Sequence, residues 1–118
     1  MNYIAIPGLR KRQGGTYTPP IVSSGKETAR HIMEVVSNHY EITIESLIGK
    51  SRRREIVLPR HVCFFLIYRM TTIPLGEMAR MFGGRDHTTA IHGREAINNL
   101  LSTDENFRQE IELIKNKI

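Results

Sequence analysis

The chain has 118 residues, 40% of them hydrophobic and 25% charged, which bounds it to a single soluble globular domain with room for a modest core. Seventeen Lys and Arg against twelve Asp and Glu leave a net charge of +5, pointing to an acidic partner, either nucleic acid or an anionic membrane surface. Cys63 is the only cysteine, which excludes an internal disulfide and a cysteine-based zinc site.

Residues 1–23 carry Gly8, Gly14, Gly15, Pro19 and Pro20, with Arg10, Lys11 and Arg12 between them; this composition predicts a flexible basic arm outside any core. The short apolar stretch in "NYIAIPGLRKR" has its basic residues on the wrong side for a secretory leader. From Ser24 the pattern becomes helical. Ser24 and Glu27 have capping-box spacing, and Ile32, Val35, Val36 and Tyr40 form one apolar stripe, so a first helix is expected over 25–40. A short second helix over 44–49 ends at Gly49, and "KSRRRE", 50–55, reads as a loop because it is polar and like-charged.

Pro59 suits the first turn of a third helix, where its missing N–H costs nothing. The "RHVCFFLIYRM" that follows is apolar on nearly every side and predicts the central, most enclosed helix, with a buried strand as the rival reading. Its longest apolar run, "VCFFLIY" at 62–68, is far too short to span a bilayer, so a soluble cytoplasmic protein is expected. A fourth helix follows Pro74, over about 75–82, and stops at Gly83-Gly84; a fifth runs from about Asp86 to Leu101. Ser102 and Glu105 have capping-box spacing again and open a sixth, whose Phe107, Ile111, Ile114 and Ile118 share a face. No strand is predicted: the fold class is all-α, a compact helical domain of about six helices spanning 24–118.

Enzymatic chemistry finds little footing. The Gly-Lys pairs at 25–26 and 49–50 have Pro20 and Ile44 where a phosphate-binding loop needs its first glycine. His87 and His92 are five apart and diverge around a helix, as His61 and Cys63 diverge at a spacing of two, so no metal site is expected. Cys63 sits among Phe64, Phe65 and Leu66, where a thiol behaves as a small hydrophobe. Neither a catalytic residue nor a cofactor is predicted.

The stretch "GGRDHTTAIHGREAI", 83–97, carries more. In a helix from Asp86, the residues Ala90, Gly93, Ile97, Leu100 and Leu101 form an inward stripe, with Gly93 allowing close approach of a neighbour. Thr88, His92, Glu95 and Asn99 lie opposite. Two helices joined through Gly83-Gly84 make a helix-turn-helix, whose second helix can enter a major groove by its N-terminus. Asp86 can accept from cytosine N4, Thr88 and Thr89 can meet thymine methyls or phosphates, and His87 can donate. Equally, Asp86 can be an N-cap and the threonines ordinary solvated residues. Lys50, Arg52, Arg53, Arg54 and Arg60, less Glu55, concentrate four net positive charges in residues 50–60 and favour the DNA-facing reading.

These residues closely resemble the C-terminal DNA-binding domain of the bacterial chromosomal replication initiator DnaA, over about 28–115. The resemblance implies a domain that recognises the nine-base DnaA box, TTATNCACA-like. It makes Asp86, His87 and Thr88 the major-groove base readers, and Thr89 and His92 backbone contacts. Arg52 becomes the minor-groove arginine and Arg60 a phosphate contact; Lys50, Arg53, Arg54 and Arg85 are assigned to the backbone. The chain departs from the family pattern at Met78-Ala79 (usually Ile-Gly), Ala90 (larger aliphatic), Gly93 (Ser or Ala), Ala96 (basic) and Gly76 (Pro). Without the basic residue at Ala96, the same box preference with lower affinity is expected.

A full initiator also carries an ATPase module and an N-terminal interaction domain, neither of which fits in residues 1–23. The expected function is therefore double-stranded DNA binding at box-like sites without ATPase activity, in a regulator or competitor of replication initiation or transcription. The alternative is a protein-interaction module whose N-terminal arm recruits a partner, with DNA contact secondary.

Overall fold

The computed structural model describes residues 22–118, and among these every regular element is a helix: α1 (Val22–Tyr40), α2 (Ile44–Ile48), α3 (Arg54–Met70), α4 (Leu75–Met81), α5 (His87–Thr103) and α6 (Glu105–Lys117). The all-α expectation holds. The basic arm expected over 1–23 lies outside the described residues, save its last two, which begin α1.

The α3 helix is the axis of the domain. Six consecutive residues, Val62 to Ile67, are buried, because α1 packs on one flank and α5 most extensively on another, while α2 and α4 also pack against the helix. Ala29, Ile32 and Val36 of α1, Leu47 of α2, Met78 and Phe82 around α4, and Phe107, Ile111 and Ile114 of α6 complete one continuous core. Phe64 and Phe82 meet edge to face at 4.8 Å, pinning the end of α4 to α3. Inside α5, Ala90, Gly93 and Ile97 are buried while Thr88, His92, Glu95 and Asn99 face solvent, as the stripe predicted.

Three boundaries differ from the sequence expectation. The first helix starts at Val22, so Ser24 and Glu27 lie inside it and no capping box opens it there. The third starts at Arg54, placing Pro59 in its second turn; Arg54 and Glu55 belong to the helix and the basic loop shortens to 49–53. Proline survives at that depth because the acceptor it leaves unpaired is the carbonyl of exposed Glu55. The sixth is capped by Asp104, whose carboxylate accepts from Phe107 N at 3.1 Å. Ser102 belongs to α5, with its hydroxyl donating back to the Asn99 carbonyl at 2.8 Å.

A non-glycine residue closes α1. Glu41 has φ 58°, and the amides of Glu41 and Ile42 return to the carbonyls of Asn38 and Ser37 at 3.3 and 3.0 Å. This satisfies two end-of-helix acceptors in the Schellman pattern, without the glycine that usually permits it.

Candidate nucleic-acid interface

The 17-residue α5 presents its N-terminal turn to solvent. Asp86 is its N-cap, accepting from Thr88 N through Oδ1 at 3.2 Å, and its backbone carbonyl accepts from Thr89 N at 2.9 Å. His87 Nδ1 lies 3.4 Å from the same Oδ1, with the two side chains 70% (Asp86) and 61% (His87) exposed. Asp86 therefore fills the capping role and still offers its second oxygen outward, since a carboxylate has lone pairs for several donors. Thr88, Thr89 and His92 are exposed beside it. Acceptor, donors, methyls and the positive end of a helix dipole thus share one small surface.

The turn before α5 is shaped by two left-handed glycines, Gly83 at φ 86° and Gly84 at φ 78°. At Gly83 a side chain has no room: a β-carbon would stand 2.6 Å from the Ile48 carbonyl oxygen. The turn is thus seated on the C-terminal end of α2. Arg85, half-buried next to it, donates from Nη2 to the Gly49 carbonyl, and its amide donates to Ala79 O at 3.1 Å.

The basic loop leaves directly from that seat. Lys50, Arg52, Arg53 and Arg54 are exposed. Arg53 pairs with Glu55 at 3.3 Å, whereas Lys50, Arg52 and Arg54 have no carboxylate partner among the described residues. The loop is also braced internally, with Arg53 N donating to Ser51 Oγ at 3.2 Å. The structure thus brings the α5 cluster and the arginine loop, 30 or more positions apart in the chain, to adjoining places.

Arg60 does not stand where a phosphate contact needs it. Its side chain is 5% exposed, and it donates to Leu47 O at 2.7 Å, Ser51 O at 2.9 Å and Ser46 O at 3.2 Å. Burial, and then repulsion from Arg85, lower its pKa, yet a guanidinium starts so high that it stays charged. It is a strut that holds the loop from within. Burial, followed by Arg60 and Arg85, likewise lowers the pKa of His61, which lies against Phe64 between α3 and α5. The supporting residues that sequence reading missed are Gly49 and Ser51. Gly49 read only as a helix stop, and the carbonyl of Ser51 carries no sequence signal.

Cys63 is fully buried, and that burial pushes its thiol far above the ordinary range, which removes its nucleophilicity. Among the described residues no group of three or more His, Cys, Asp or Glu could hold a metal ion, and no helix is long and apolar enough to cross a membrane.

The chain matches the family description "Bacterial dnaA protein helix-turn-helix" over residues 29–97. It is 44% identical over 91 residues to the chromosomal replication initiator protein DnaA of Oenococcus oeni, an alignment covering 77% of this chain and 20% of that protein. The corresponding protein of Cereibacter sphaeroides is 39% identical over 93 residues, covering 79% of this chain and 20% of its own. The chain thus spans about a fifth of the length of these curated relatives. A solved structure described as a DNA replication initiation factor superposes with a TM-score of 0.71 at 22% identity, over 80% of this chain and 29% of that one. At that identity the likeness concerns the fold.

Proposed function

Since the chain belongs to the family of bacterial DnaA helix-turn-helix domains, we propose that it binds duplex DNA at DnaA-box-like sequences and reads both grooves at once. In this reading the N-terminal turn of α5 enters the major groove, where Asp86, His87 and Thr88 meet base edges. Arg52 enters the neighbouring minor groove, whose narrow A·T-rich form attracts a guanidinium. Lys50, Arg53 and Arg54 follow phosphates, and Thr89 and His92 contact the backbone beside the readers. Arg60 and Arg85, tied to main-chain carbonyls, support the loop.

The observation that carries the proposal is the joining of these two groups: the Gly83 turn rests on Ile48 O and Arg85 grips Gly49 O, so the reading helix and the arginine loop form one surface. Three of its cations, Lys50, Arg52 and Arg54, are not neutralised by carboxylates among the described residues. Binding of this kind uses no bond-making step and no cofactor. By occupying a box, the chain competes with any other protein that reads it, which makes it a regulator of initiation or of promoters containing such sites. It would act in the cytoplasm, on the nucleoid.

Fluorescence anisotropy with a TTATCCACA duplex and a scrambled one, across several salt concentrations, tests this. A preference for the box that persists at physiological salt is expected. Equal affinities with a steep salt slope for both would leave only non-specific phosphate attraction, and the proposal would fail.

A further inference from the structure

At the end of the five-residue helix α2 only Ser46 O finds a main-chain donor, the Gly49 amide at 3.3 Å, and two arginines from elsewhere cover the carbonyls of this end. Arg60, on α3, holds Ser46 O and Leu47 O and reaches on to Ser51 O. Arg85, at the threshold of α5, holds Gly49 O across 36 positions of sequence. Between them they clasp the chain segment 46–51 from two sides. Arg85 adjoins Asp86, and Gly49 stands three residues before Arg52. A single hydrogen bond therefore bridges the base-reading turn and the minor-groove arginine by a very short path.

Close approach makes that bridge possible. At Gly83 any side chain would collide with Ile48 O, so the turn can settle onto the end of α2 only as glycine. The planar guanidinium fixes the direction of this hydrogen bond as well as its length, which the freely rotating ammonium of a lysine does not. A half-buried arginine that spends a nitrogen on a main-chain carbonyl is poorly placed to grip phosphate.

Building on the two-groove reading above, we infer that Arg85 is a positioning residue. It fixes the offset between the N-terminal turn of α5 and the loop bearing Arg52, so that major- and minor-groove contacts fall in one register. Its effect is on discrimination between sequences, and not on the number of phosphates neutralised.

Arg85→Met and Arg85→Lys test this with two readouts. Without DNA, amide hydrogen exchange should quicken severalfold in Arg85→Met at Gly49 and Arg53, whose amides are bonded within this segment, while the amides of α3 stay protected. Unchanged exchange there would overturn the inference. With DNA, the preference for box over scrambled duplex should fall about tenfold in Arg85→Met, while the slope of log affinity on log salt stays the same. Arg85→Lys, keeping one donor, should recover part of the preference. A loss equal for both duplexes, with a slope shallower by roughly 0.9, would mean that Arg85 contacts a phosphate, and would also overturn it. If the unmodified protein shows no box preference, the two-groove reading fails by itself, and hydrogen exchange alone decides whether Arg85 fixes the loop.

Discussion

Gly93 of α5 lies face to face with His61 of α3: a β-carbon on Gly93 would stand 2.7 Å from His61 Cδ2 and 2.8 Å from Phe64 Cδ2. Replacing a helical glycine by alanine ordinarily gains about 1 kcal/mol. Here the added methyl meets a ring in a fully buried Phe64, and overpacking of this kind costs about 1–3 kcal/mol. Gly93→Ala is therefore expected to lower the melting temperature by a few degrees, and His61→Ala in the same chain to restore part of it. A single Gly93→Ala variant that melts at or above the parent temperature would show that the helices can part without cost.

The same histidine gives the stability a dependence on pH. Burial first, then Arg60 and Arg85, lower its pKa from the ordinary 6.5. The unfolded chain takes up this proton near pH 6.5, the folded chain only at lower pH, so between the two pKa values stability rises with pH. The contribution is intact above about pH 6.5 and is lost as pH falls through the folded pKa. Thermal melts at about pH 7.5 and about pH 5 should show a smaller drop for His61→Gln than for the parent. Equal drops would assign the acid sensitivity to other groups.

Glu41 offers the opposite kind of change. It holds a left-handed backbone at φ 58° in the turn that closes α1, a conformation costing a residue with a β-carbon about 1 kcal/mol or more. Glu41→Gly relieves that cost and forfeits some unfolded-state restriction, so a net gain of roughly 0.5 kcal/mol is expected from denaturant melts. A destabilised Glu41→Gly would mean that the Glu41 side chain contributes more than its backbone costs.

Arg60 and Arg54 separate support from contact. Removing the Arg60 guanidinium leaves the carbonyls of Leu47 and Ser51 without their donor, and Ser46 O with only the Gly49 amide, so Arg60→Ala should cost about 2–4 kcal/mol in chemical denaturation. Arg54 is exposed, and Arg54→Ala should stay within about 0.5 kcal/mol of the parent while making DNA affinity less sensitive to salt. If instead Arg60→Ala folded as stably as the parent, its role as a strut would be wrong.

What the sequence made legible was local. The run Val62–Ile67 is too apolar to be anything but enclosed, and Ala90, Gly93 and Ile97 recur at helical spacing, so both faces of α5 could be read before the structure. Pro59 misled because a proline is most at home in a first turn, and nothing nearby marks that the helix has already run five residues. Ser102 misled because it and Asp104 both offer a capping oxygen, and the choice fell to Asp104 once Ser102 and Thr103 turned their hydroxyls back to Asn99 O. The exposed N-terminal turn of α5 was visible in the same way. The roles of Arg60 and Arg85 were not, because their partners are main-chain carbonyls 9 to 36 positions away, which have no residue identity to read.

Asp86 holds both readings of the α5 turn in a single side chain, and two substitutions pull them apart. Its Oδ1 caps the helix by accepting from Thr88 N at 3.2 Å, while 70% of the side chain faces solvent and can accept from a base. Asparagine caps a helix about as well as aspartate, so Asp86→Asn should leave the melting temperature nearly unchanged. Alanine cannot cap, and Asp86→Ala should lose about 1 kcal/mol. An amide also carries donors where the carboxylate has only acceptors, and it is neutral, so Asp86→Asn should change which base is preferred at the position Asp86 reads. Competition anisotropy against duplexes varied one base pair at a time would measure this, with about 1–3 kcal/mol of discrimination at stake. If Asp86→Asn keeps both the stability and the base profile of the parent, Asp86 is a cap and nothing more, and base reading in this turn rests on His87 and Thr88.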